Sequence, residues 1–64
     1  MKKYKVDEWV MFDPFVGYAA EGNFTQKAVI LNICPEDDIY DYEIYIEEKF
    51  QFKKVKEEAL LSLK

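Results

Sequence analysis

The chain is 64 residues long, carries a formal charge of −4 and is 50% hydrophobic, with eleven aromatic residues. That length admits one domain, residues 1–64, with one small core, and the apolar share excludes a disordered chain. All nine basic residues are lysines, histidine is absent and Cys34 is the lone cysteine; this excludes bidentate guanidinium contacts, an imidazole base, a four-ligand zinc site and an internal disulfide.

A chain this short buries only about 60% of the surface its unfolded form exposes. A stability on the order of 3–10 kcal/mol is therefore expected. No apolar leader follows Met1-Lys2-Lys3, and apolar runs such as Ala28–Leu31 are far too short to span a bilayer. The expectation is a soluble cytoplasmic protein without membrane contact. The lysine-, isoleucine- and tyrosine-rich composition fits an AT-rich coding sequence and hence a bacterial or phage source.

Lys5–Phe12 reads as a first strand, with Val6, Val10 and Phe12 on one face and Trp9 and Met11 on the other; Asp13-Pro14 ends it. Pro14–Gln26 is a long loop with turn points at Gly17 and Gly22-Asn23, and it carries Phe15, Tyr18 and Phe24. Lys27–Cys34 reads as a central strand, its nearly continuous apolar run predicting cover on both faces and a buried Cys34. Pro35–Asp38 is an acidic turn. Glu36–Glu48 then holds seven carboxylates and no basic residue. Within it Tyr40, Tyr42, Ile44 and Ile46 alternate with Asp41, Glu43, Tyr45 and Glu47, the period of a half-buried strand with an acidic outer face. Glu48-Lys49 reverses the chain into a fourth strand, Phe50–Phe52. The C-terminus admits two readings: a helix over about residues 54–63, giving a four-stranded sheet plus helix, or a helical turn at Lys56–Ala59 and a last strand at Leu60–Leu63. The second is favoured.

This order of strands, with KVDEWVMF, a long loop, KAVILNI, an acidic turn, DYEIYI, and FKKVKEEALLSL, resembles the SH3-like small barrels shared by SH3, Tudor and KOW domains. The resemblance implies an all-β, five-stranded barrel with a long first loop and a short helical turn before a last strand that closes against the first. It carries no functional residue over. The Ala-Leu-Tyr-Asp-Tyr-type motif and paired tryptophans of proline-peptide binders are missing, and the fold alone hosts many functions.

Two surfaces are candidates. Trp9, Phe15, Tyr18 and Phe24 form an aromatic patch suited to anchoring a protein partner, since large rings bring contact area at low entropy cost. Asp37, Asp38, Asp41, Glu43 and Glu47 form an acidic face that would mimic a nucleic acid and occupy a basic groove. The carboxylates of the Pro35–Asp41 region lack the spacing of a calcium loop, and no metal or cofactor is expected. Lys49, Lys53, Lys54 and Lys56 are read as neutralising the acidic strand across the hairpin. Catalysis is not expected: histidine, a nucleophile elbow and a phosphate loop are all missing. The leading expectation is a non-enzymatic protein-interaction module docking through the first loop and the Trp9 face. The alternative is an acidic nucleic-acid-mimic inhibitor. Direct nucleic-acid binding is opposed by the net charge and the missing arginines, and the sequence sets no oligomeric state.

Overall fold

The structure, a computed structural model, describes residues 2–14 and 25–63. The fold is all-β: β1 (Trp9–Phe12), β2 (Gln26–Ile33), β3 (Tyr42–Ile46), β4 (Gln51–Val55) and β5 (Leu60–Ser62). They form one antiparallel sheet in the order β4-β3-β2-β1-β5. Two 3-10 turns, Glu47–Lys49 and Glu57–Ala59, precede β4 and β5. The C-terminal helix is thereby overturned. A helical turn followed by a strand lets Leu60 reach the core opposite Phe12, whereas a helix would leave the backbone of β1 unpaired on that side.

The core lies on one side of the sheet. Val10, Ala28, Ile30, Tyr42, Ile44 and Ile46 are buried to 1% exposure or less, and Phe12, Val55 and Leu60 close the rim. The alternation in β3 explains this directly, since its burial follows Tyr42, Ile44 and Ile46 residue by residue. Cross-strand partners share the inner face: Val10 with Ala28, Ala28 with Ile46, Ile30 with Ile44, Tyr42 with Val55.

Several expected strand limits are corrected by local backbone geometry. Asp7, at φ 72°, and Glu8 together face Ile30: the Asp7 N–H donates to the Ile30 carbonyl, and the Ile30 N–H donates to the Glu8 carbonyl. That is the geometry of a β-bulge whose first residue is left-handed, which Asp tolerates. It shortens β1 to Trp9–Phe12 and turns Val6 out to solvent. In β2 the register shifts between Ile30, opposite Ile44, and Asn32, opposite Glu43, so Leu31 is the extra residue. Asn32 therefore joins the outer face, and its side-chain amide donates to Glu43. Nor is β2 covered on both sides: Lys27 is exposed and Val29 and Leu31 are half-buried. Tyr40 is exposed rather than inward, because its N–H is held by the Asp38 carboxylate in a local turn. Glu47 belongs to a 3-10 turn and not to the strand.

The fourth strand runs from Gln51 to Val55 instead of ending at Phe52. Phe50 is the turn residue before it, left-handed at φ 49° and 82% exposed. Cys34 is buried as expected, with its N–H donated to the Asp41 carbonyl.

Two stability tests follow. Ile44→Ala empties the centre of the one core and is expected to cost about 2–5 kcal/mol in urea denaturation; a loss below about 1 kcal/mol would show that the core does not depend on this row. Phe50→Gly removes a left-handed Cβ that packs on little and is expected to raise stability by about 0.5–1 kcal/mol, the strain relief outweighing glycine's entropy. An unchanged urea midpoint would refute the strain at Phe50.

Candidate functional site

The outer face of the sheet carries an apolar row that crosses four strands. Trp9 lies opposite Val29, Val29 opposite Tyr45, and Tyr45 opposite Phe52. The rings of Tyr45 and Phe52 meet at 5.1 Å between centroids, tilted by 52°, a favourable aromatic cross-strand pair. The Lys27 ammonium lies over the Trp9 ring, 5.0 Å from its centroid. Trp9 is 39% exposed and Phe52 65%. On one side of this row Met11 sits opposite Lys27 and Leu61. On the other runs a polar row, Asn32–Glu43–Lys54.

Of the aromatic residues singled out from the sequence, Trp9 is on this face. Phe15, Tyr18 and Phe24 lie outside the described residues. Tyr45 and Phe52 were missed as surface anchors. Tyr45 shares a parity with carboxylates, and the run Phe52-Lys53-Lys54-Val55 gives no clean alternation. The usable signal was Val55: once it is inward, Phe52, three residues earlier, must be outward.

The acidic residues are not one continuous face. Asp37 is exposed in the turn, Glu43 pairs with Asn32 and stands opposite Lys54, and Glu47 is exposed at a 3-10 turn. Asp38 accepts the Tyr40 N–H at 3.0 Å and lies 3.6 Å from Lys54 Nζ. The backbone donor, with Lys54 behind it, holds its carboxyl below the usual carboxylate range. Of the four lysines near the hairpin, Lys54 thus meets the acidic strand as expected, whereas Lys53 points to the inner side, its Nζ 6.0 Å from the Phe12 ring centroid.

Asp41 has a structural task. Its carboxylate accepts Lys2 Nζ at 2.6 Å and the Glu57 N–H at 2.8 Å, tying the N-terminal segment to the turn before β5. Glu57 in turn accepts the Tyr42 hydroxyl at 2.8 Å and the Lys3 N–H at 3.1 Å, and the Tyr42 hydroxyl accepts the Tyr4 N–H at 2.9 Å. The Lys2 ammonium lowers the Asp41 pKa, with the Glu57 N–H helping; the Tyr42 hydroxyl lowers that of Glu57, with the Lys3 N–H helping. The hydrogen bond to Asp41 raises that of Lys2, and burial raises that of Tyr42. Lys2, Glu36, Asp41 and Glu57 line a shallow depression, and the lysine ammonium already provides the cation there. Among the described residues no group of three or more potential metal ligands converges, no buried side-chain polar atom lacks a partner, and no helix is long and apolar enough to cross a membrane.

In comparisons with protein-family models, curated proteins and solved structures, nothing matches this chain. What the fold and surface define is therefore the class alone: a small all-β domain with a one-sided core and an outer apolar row whose ends, Trp9 and Phe52, are exposed.

The carboxylate network has a pH signature. Asp41 and Glu57 have folded pKa values below their unfolded ones, so their contribution is complete above about pH 4.5 and lost as pH falls through the folded values. Lys2 acts in the opposite sense, its contribution being lost only at strongly alkaline pH. Asp41→Asn should therefore lower the urea midpoint at pH 7, with a smaller deficit at pH 3. An equal deficit at both pH values would remove charge from the explanation.

Proposed function

We propose that this chain is an SH3-like, non-enzymatic interaction module that docks a protein partner through the outer face of its sheet, with Trp9 as the anchor. The strand order, the pairing of β5 with β1 and the 3-10 turn ahead of β5 support the SH3-like part of the reading. The observation that carries the docking part is the row Trp9–Val29–Tyr45–Phe52, apolar and in register across four strands, with Trp9 and Phe52 exposed and Val29 and Tyr45 half-buried. A row of aromatics flanked by charged and polar side chains has the composition of an interface centre with its rim. The composition also favours binding over catalysis, since the chain has no histidine.

The nucleic-acid-mimic reading has weaker support. Mimicry needs regularly spaced, unpaired negative charge. Here Asp38 and Asp41 are committed to lysines and backbone N–H groups, and Glu43 faces Lys54.

The two readings separate in affinity capture from bacterial lysate at low and high salt, using wild type, Trp9→Ala with Phe52→Ala, and Glu43→Lys with Glu47→Lys. Asp41 stays unaltered because it holds the fold. Docking through the aromatic row predicts a salt-resistant partner lost from the aromatic variant and kept by the lysine variant. A partner lost at high salt and from the lysine variant alone would overturn the proposal. Losing the contact of Phe52 with the half-buried Tyr45 costs only about 0.2–1 kcal/mol, and circular dichroism of the Trp9→Ala, Phe52→Ala variant shows whether it still folds before capture is compared.

A further inference from the structure

The sheet ends in two edges, and they differ in kind. The β5 edge is three residues long and uncharged. The β4 edge is five residues long, and among the described residues it pairs only with β3, so alternate N–H and C=O groups face away from the sheet. Its residues Gln51, Phe52, Lys53 and Lys54 are all exposed. The surrounding stretch, Lys49–Lys56, holds four lysines and no carboxylate in a chain of net charge −4.

We propose that the β4 edge is a second docking site, which takes an acidic, extended segment of a partner protein as an added strand. The backbone groups of Gln51–Val55 would pair with it, and its side chains would alternate as those of β4 do. Residues beside Phe52 and Lys54 fall on the outer face and those beside Gln51 and Lys53 on the inner side. An apolar residue fits beside Phe52, 65% exposed, and carboxylates fit beside Lys53 and, shared with Asp38, beside Lys54. Charge complementarity selects this occupant. A second copy of the chain would bring the same lysines toward one another, the usual safeguard against edge pairing. A single-stranded nucleic acid stacked on Phe52 and Tyr45 would run over Glu43, one strand in from the edge. A peptide strand added outside β4 lies two strand spacings from β3, about 10 Å, roughly one Debye length at physiological salt. The site shares Phe52 with the Trp9 row and goes beyond it in using the free backbone of the β4 edge and Lys53.

The test uses the full chain, isotope-labelled for NMR, and an acetylated octapeptide alternating Glu and Val. Three further probes are the same peptide N-methylated at alternate residues, a Lys/Val octapeptide and an eight-residue oligothymidylate. The expected result is slowed amide exchange confined to β4 on adding the Glu/Val peptide. Affinity should fall at least tenfold on N-methylation and at least fivefold in Lys53→Gln with Lys54→Gln, with Trp9→Ala unchanged. No binding of the Glu/Val peptide overturns the proposal. So does equal binding of the N-methylated or Lys/Val peptide, tighter binding of the oligothymidylate at the same residues, or protection of β4 in the free protein that grows with its concentration. Because the N-methylation comparison uses the unaltered protein, a variant that fails to fold leaves the test intact. Loss of peptide binding without loss of the Trp9-dependent partner would remove this site and leave the first one standing.

Discussion

Tyr42 ties the N-terminal segment, β3 and the turn before β5 together. Its ring is fully buried, lies on the inner face opposite Val55 and meets the Tyr4 ring edge-on at 5.7 Å. Its hydroxyl sits where the N-terminal segment and the turn before β5 come together, accepting the Tyr4 N–H and donating to Glu57. Burying a phenol requires a partner for its oxygen, and here that requirement is what draws three distant stretches of chain to one point. The Tyr4 hydroxyl repeats the device, reaching the Leu60 carbonyl at 3.3 Å. A sheet whose first and last strands are short, four and three residues, gains little from its own ladder at that side. The tyrosine pair and the Asp41–Lys2 and Glu57 contacts supply the missing closure.

The strands were largely legible because the central inner positions of β1, β2 and β3 are apolar, whereas those of β4 include Gln51 and Lys53. In β3, Tyr42, Ile44 and Ile46 allow only one parity, and a slip by one residue would bury Glu43. The favoured reading of the C-terminus rested on the resemblance to SH3-like barrels; the structure bears it out, with Ala59 and Leu60 adjacent and both buried, which a turn followed by a strand accommodates. What was not legible is the consequence of the bulges. One extra residue at Asp7–Glu8 and another at Leu31 reverse parity beyond them, and neither leaves a compositional mark stronger than Asp's tolerance for a left-handed backbone. Val6 accordingly ended on an unexpected side, and Asn32 left the inner parity of Ala28 and Ile30.

The candidate site was legible only in part, and for a physical reason. Trp9 could be placed from its own strand. The row that gives Trp9 company depends on three separate registers, each set by non-local pairing that periodicity within one strand does not contain. Asp41 shows the converse. Its place among seven clustered carboxylates suggested free surface charge, whereas its ligands, Lys2 and the Glu57 N–H, come from 39 and 16 residues away. Charge clustering in sequence says little about whether each charge is spoken for in space.

The outer face is hard to account for by stability alone. A phenylalanine left 65% exposed buries little of its area, and its pair with Tyr45 is worth a fraction of a kcal/mol to about one. Glu43 and Lys54, one row away, show that this face accepts polar residues without loss of register. A sheet under no further demand would carry such pairs throughout, and would gain solubility by doing so. Lysines, by contrast, stand where self-association would begin, along the β4 edge, while the aromatic row in the middle of the face is left unguarded. Lysines at the β4 edge and apolar area at Trp9 and Phe52 on the outer face are the two features on which the proposed docking rests.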